Sequence, residues 1–171
     1  HKVTLIHRGL SMGSTWPLPE SARHNFSTTH LKSQLAILMA GRCAEELIFN
    51  EYSTGASNDI ERATEISREM VCSWGMSEKL GPLKFGTKND SPFLGKQLTG
   101  LASDYSQATA QQVDEEMKAL VTEAQETAIK ILTAKKLVLR AMAKVLIEKE
   151  TINGEEVKKR LLARIDTVET N

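Results

Sequence analysis

The sequence predicts a mainly α-helical fold with a small β-hairpin at its N-terminal end and a helical hairpin at its C-terminal end. Three observations predict it. From about residue 29 onward, apolar residues recur every three or four positions, the spacing of a single buried helical face. One short β-branched run, Val3 to His7, stands apart from that pattern and leads into a turn at Arg8-Gly9. Gly81, Pro82, Gly86, Pro92, Gly95 and Gly100 crowd one stretch, which interrupts the helical pattern as a long irregular connection.

Each element follows from its residues. Val3 to His7 and Met12 to Leu18 read as two short strands, and Pro17 makes the second an edge or bulged strand because it removes a ladder donor. Such an edge can take an extended peptide by strand addition, or be covered by its own loops. Glu20 to Thr29 is polar and loop-like. A helix from about Thr29 to Phe49 follows, with Leu31, Leu35, Leu38, Met39, Ala40, Cys43 and Leu47 as its apolar face. A second helix, ending near Trp74-Gly75, places Ile60, Ala63, Ile66, Met70, Val71 and Trp74 inward. From Ser106 a long helix keeps Val113, Met117, Leu120, Ala124, Ala128 and Ile131 on one side. An intradomain helical hairpin accounts for that spacing better than an intermolecular coiled coil. A further helix spans about Lys136 to Glu148, and Asn153 caps a last one with Val157, Leu161 and Leu162 inward.

Composition bounds the function. With 171 residues the chain fits one domain with a real core: residues 1–101 carry the hairpin and first helices, 102–165 the C-terminal helices, and 166–171 a frayed tail. Lys plus Arg and Asp plus Glu are both 22, so no net charge draws the chain to nucleic acid or to an anionic membrane. The longest apolar run, Leu35 to Ala40, is far too short to span a bilayer, and no signal-peptide pattern opens the chain. Cys43 and Cys72 are isolated within helical patterns, form no C-x-x-C motif, and read as small buried apolar side chains.

The most informative stretch is Thr54-Gly55-Ala56-Ser57-Asn58-Asp59-Ile60-Glu61-Arg62-Ala63-Thr64, a loop running into a helix. Gly55 gives that loop backbone freedom. Ser57 or Asn58 can cap the helix, and Asn58 with Glu61 makes a capping-box-like pair. Asp59 falls in the first turn, where the helix dipole favours its ionised form. On pattern alone that carboxylate only balances the dipole; held rigidly among other ligands it would be a good metal donor.

Lys2 to Ile6 with Arg8-Gly9, Gly13 to Thr15 with Leu18-Pro19, Gly41 to Glu46, Thr54 to Thr64, Trp74 to Ser77 and Leu80 to Leu83, in that order along the chain, together resemble the FtsH family of membrane-anchored, ATP-dependent zinc metalloproteases of the AAA+ class. Thr54 to Thr64 resembles the segment with the family's third zinc ligand. Lys2-Val3-Thr4-Leu5-Ile6 with Arg8-Gly9 resembles its K-V-T-I-I-P-R-G, His7 standing in the proline position. Gly13-Ser14-Thr15 with Leu18-Pro19 resembles G-V-T-x-x-L-P, and Gly41-Arg42-Cys43-Ala44-Glu45-Glu46 resembles G-R-x-A-E-E. Trp74-Gly75-Met76-Ser77 and Leu80-Gly81-Pro82-Leu83 resemble W-G-M-S-x-x-L-G-P. Phe93-Leu94-Gly95 and Asp114-Glu115-Glu116 continue the match, which runs from about Lys2 to Leu162.

The resemblance implies a helical metalloprotease domain whose 1–101 half holds Zn(2+). It implies Asp59 as the third metal ligand, and Glu45 as a carboxylate beside the zinc that accepts a hydrogen bond from a ligating histidine. On its own, Glu45 reads as a solvated helix residue paired with Arg42 or Lys32, and Glu46 as surface. Gly13, Ser14, Thr15 and Trp16 would form the edge strand that binds substrate. The other two ligands and the general-base glutamate belong to an H-E-x-x-H expected upstream of the K-V-T strand. His1, His7, His24 and His30 contain no pair spaced i, i+4, so none of the catalytic residues is expected in this stretch, which alone would be inactive. His24 and His30 read as ordinary surface histidines, and Asp114-Glu115-Glu116 as a solvated face or subunit contact. ATP and Mg(2+) would serve only an absent ATPase module. Implied partners are unfolded or membrane-extracted polypeptides and further copies in a homohexamer, with no nucleic acid. Attachment through absent N-terminal segments would hold the domain on the cytoplasmic side of the cell inner membrane, or on an organellar membrane. The rival reading is a non-catalytic helical scaffold or oligomerisation domain of the same descent.

Overall fold

The computed structural model describes residues 2–5, 14–16, 25–85 and 105–162. Helices dominate it, as expected. The chain makes two compact units, one of residues 26–131 and one that joins residues 1–25 to 132–171.

In the unit of residues 26–131, α1 (Thr28–Phe49) opens on Ser27, whose Oγ accepts the His30 N–H at 3.2 Å. It buries Leu31, Leu35, Ala36, Met39 and Cys43. Leu38, Ala40 and Leu47 are only half-buried, so the covered stripe lies slightly toward Ala36 from the one the spacing marked out. Asn50 ends α1 in the left-handed region (φ 56°) and returns its N–H to the Glu46 carbonyl at 3.0 Å. A 3-10 turn, Thr54–Ala56, then leads into α2 (Ser57–Arg68), and a π turn, Glu69–Ser73, continues it. Ala63, Met70 and Val71 point inward as expected, whereas Ile60 and Trp74 are 38% and 47% exposed. The π turn is the reason for Trp74: its extra residue per turn rotates the face out of the 3.6-residue register.

The long helix α3 (Gln107–Ala134) completes this unit. Val113 packs with Val71, Cys72 and Leu80, and Phe85, Met117 and Leu120 cover the cluster. Lys32 of α1 pairs with Glu123 at 2.8 Å. Both cysteines are free and buried, and burial raises both thiols above their usual pKa, which makes them inert.

Glu116, expected on a solvated face, is an anchor instead. It accepts from the Ser77 hydroxyl at 2.7 Å and pairs with Lys79 at 2.7 Å, and Ser77 Oγ in turn accepts the Leu80 N–H. The Lys79 bond, then the Ser77 bond, holds the Glu116 carboxyl below its ordinary range and raises Lys79. Because the folded carboxyl is depressed, its contribution is present above the unfolded carboxylate range and disappears as pH falls through the lowered folded value; on the alkaline side it lasts until Lys79 deprotonates. Glu116→Gln is expected to cost about 1 kcal/mol at neutral pH, since Lys79 is largely exposed. Urea unfolding should show that difference shrinking toward zero in acid.

In the other unit, β1 (Lys2–Thr4) pairs antiparallel with β2 (Ser14–Trp16), in the register Lys2–Trp16, Val3–Thr15, Thr4–Ser14. A third strand, β3 (Thr151–Asn153), was not foreseen; it pairs with the other side of β1, giving the order β2-β1-β3. It follows α4 (Lys136–Lys149), which Glu150 terminates at φ 58°. Thr4 is buried and donates from Oγ1 to the Glu150 carbonyl at 3.2 Å, while Leu5 N–H reaches the same oxygen at 2.8 Å. Asn153 caps α5 (Gly154–Leu162) as expected, its Oδ1 accepting the Glu156 N–H at 2.8 Å. No helix among the described residues is long and apolar enough to cross a membrane.

Candidate functional site

The site is built where the end of α1 meets the start of α2. Gly41 and Glu45 lie one turn apart on the same side of α1. Asp59 lies over Gly41: a Cβ there would stand 4.0 Å from Asp59 Oδ2. Asp59 is the third residue of α2, half-buried, and among the described residues it holds no hydrogen bond or ion pair. A first-turn carboxylate in that condition is steadied by the helix dipole and keeps its oxygens available.

The approach to α2 differs from the capping expected of it. Neither Ser57 nor Asn58 caps the helix; both lie inside it, and Ala56 occupies the cap position with no side-chain bond. The cap sits one turn earlier, where Ser53 Oγ accepts the Gly55 N–H at 3.1 Å. Gly55 has no left-handed φ; a Cβ there would lie 3.2 Å from Ser53 Oγ, tight enough that Ser53 would have to move by a few tenths of an ångström, and 3.7 Å from Glu45 Oε1.

Glu45 explains the shift. Its Oε1 accepts the Ser53 hydroxyl at 2.6 Å and its Oε2 accepts the Ser53 N–H at 3.1 Å. Those two bonds, the hydroxyl first, hold its carboxyl below the ordinary glutamate range. Glu45 is therefore no partner of Lys32, which is committed to Glu123. Arg42 takes no carboxylate at this helix end; its guanidinium lies 3.7 Å over the Tyr52 ring. Glu46, expected at the surface, has Oε2 buried with no hydrogen-bond partner.

The other residues singled out by sequence fall elsewhere. His30 stacks on Phe26 with ring centroids 5.0 Å apart. His1, His7, His24 and Gly13 lie outside the described residues, as do the ends of the Met12–Leu18 run. Ser14, Thr15 and Trp16 form β2, at one edge of the sheet. A groove lined by Lys32, Ser33, Leu120 and Glu123 is bridged by the Lys32–Glu123 pair and includes neither Asp59 nor Glu45. Among the described residues, no three His, Cys, Asp or Glu side chains converge to hold a metal ion. The donors described thus fit a share of a metal site, to which Asp59 brings a carboxylate with no bond among the described residues, and not a complete one.

Comparison with known proteins places this helical scaffold among the metallopeptidases. The chain belongs to peptidase family M41, whose model matches residues 1–160. It is 45% identical over 158 residues to an ATP-dependent zinc metalloprotease FtsH of Acidobacterium capsulatum, covering 92% of this chain and 24% of that protein. The FtsH of Myxococcus xanthus is 46% identical over 157 residues, again with 92% and 24% covered. That of Slackia heliotrinireducens is 46% identical over 156 residues, with 91% and 20% covered. The chain thus spans about a quarter of the length of the curated relatives it matches.

Proposed function

We propose that this chain is the proteolytic domain of an ATP-dependent zinc metalloendopeptidase that degrades unfolded or membrane-extracted polypeptides. The observation that carries this reading is membership of family M41 together with Asp59, a half-buried carboxylate with no partner among the described residues. Asp59 would hold the zinc with two histidines of an H-E-x-x-H helix belonging to the longer protein. Zinc so bound supplies an activated water and polarises the peptide carbonyl. Glu45, ionised and anchored on Ser53, fixes the approach to α2 and offers remaining lone pairs to a ligating histidine. The edge of β2, paired with β1 on one side only among the described residues, would take the substrate backbone by strand addition. ATP and Mg(2+) act in a separate module of the longer protein, which assembles as a homohexamer and attaches to the inner membrane through segments outside this chain.

The test is zinc content and proteolysis in the full-length protein. About one zinc per chain is expected, with degradation of an unfolded polypeptide that stops on chelation and returns with zinc. A folded protein with neither zinc nor peptidase activity would instead establish a non-catalytic scaffold. Glu45→Gln should weaken zinc binding about 10- to 100-fold; unchanged affinity would leave Glu45 as an anchor for Ser53 alone.

A further inference from the structure

The last turns of α1 do more than present Glu45. Three of their side chains converge on the dipeptide Tyr52-Ser53. Arg42 lies over the Tyr52 ring at 3.7 Å. The Glu46 carboxylate lies beside the Tyr52 hydroxyl and raises that phenol above its usual pKa. Glu45 takes both the hydroxyl and the N–H of Ser53. The fourth link is Ser53 Oγ, which accepts the Gly55 N–H and so closes the 3-10 turn that delivers the chain into α2 two residues before Asp59.

We propose that Arg42, Glu46 and Tyr52 form a clamp whose function is to position Asp59 for metal binding. They are positioning residues: none touches the metal, and each acts through Ser53 and the 3-10 turn. The proposal rests on the zinc-peptidase reading above.

Two features favour a clamp over incidental surface contacts. Glu46 keeps Oε2 buried without a hydrogen-bond partner, a condition that costs a folded protein free energy and that a free surface glutamate would escape by rotating into water. The four-residue stretch Asn50 to Ser53 is otherwise exposed and has no regular structure, so side-chain contacts from α1 are what give it one conformation. A metal ligand must be held within a fraction of an ångström of its working geometry by residues whose own positions are fixed. Asp59 has no partner among the described residues, so its placement depends on how α2 is started and packed.

The experiment compares Tyr52→Phe, Tyr52→Ala and Asp59→Ala in the full-length protein, with two readouts. The first is hydrogen exchange of peptides spanning residues 50–56, followed without metal. The second is zinc affinity by competition with a chelator. Tyr52→Ala removes both the ring under Arg42 and the hydroxyl beside Glu46. It is expected to speed exchange across residues 50–56 at least tenfold, leave exchange in α3 unchanged, and weaken zinc binding about tenfold. Tyr52→Phe keeps the ring and should fall between Tyr52→Ala and the unaltered protein. If Tyr52→Ala matches the unaltered protein in zinc affinity while Asp59→Ala loses zinc, the clamp is overturned and the zinc-peptidase reading stands. If Tyr52→Ala raises exchange in α3 as strongly as in residues 50–56, Tyr52 is a general stability residue and the clamp is again overturned. If the unaltered protein binds no zinc, both proposals fall together.

Discussion

Replacing Asp59 with Ala in the full-length protein is expected to strip it of zinc and abolish proteolysis while leaving the helical fold intact. The two halves of that expectation have separate causes. Loss of metal follows because Asp59 carries no competing bond among the described residues, whereas Glu45 is engaged on Ser53. Removing a direct ligand should cost more than the roughly 10- to 100-fold that follows loss of an outer hydrogen-bonding partner. The fold survives because Asp59 contributes little to it beyond its interaction with the helix dipole, about 0.3–1 kcal/mol. Zinc analysis and far-ultraviolet circular dichroism of the same sample decide the matter. Wild-type zinc content in the variant would falsify the ligand assignment, and loss of helical signal would mean that Asp59 is structural.

How much of this was legible in the sequence depends on the range of the interaction concerned. The helices were, because each carries its own apolar spacing, and so was the Asn153 cap, whose acceptor and donor are three residues apart. The strand β3 was not. Thr151-Ile152-Asn153 is too short to display a two-residue alternation, and it exists only because β1, nearly the whole chain away, supplies its ladder. The start of α2 was misplaced for the same reason. Asn58 and Glu61 have the spacing of a capping box, but the carboxylate of Glu45 holds Ser53 and starts the turn earlier, so a tertiary contact overrides a local preference. Nor could spacing choose for Arg42 between a nearby carboxylate and the Tyr52 ring. Within the site, the roles proposed for Asp59 and Glu45 come from family resemblance, whereas those proposed for Ser53, Tyr52 and Glu46 come from the conformation of residues 50–56.

Gly75→Ala is expected to be among the most destabilising single-methyl changes in the chain. Gly75 follows the π turn at φ 59°, and Met76 N–H reaches back to the Met70 carbonyl at 2.9 Å, so the helix closes on a left-handed residue. Alanine in that conformation costs about 1–2 kcal/mol. Space is the second cost. A Cβ at Gly75 would lie 2.8 Å from Pro82 Cα and 3.2 Å from its carbonyl carbon, and backbone cannot swing aside as the end of a side chain can. The 77–85 segment is held from both ends, by Ser77 on Glu116 and by Phe85 N–H on the Cys72 carbonyl at 2.8 Å, so Pro82 can retreat only by loosening Leu80 from Val71, Cys72 and Val113. Overpacking of this kind costs about 1–3 kcal/mol, for a total of roughly 2–5 kcal/mol. Gly81 is the internal control. It too is left-handed, at φ 73°, but a Cβ there meets nothing within 4 Å, so Gly81→Ala should cost only the conformational part. Urea unfolding of both variants separates the terms: equal losses would mean that the contact with Pro82 carries no energy, and a markedly larger loss at Gly75 would mean that the 77–85 segment is pinned against the end of α2 through its backbone.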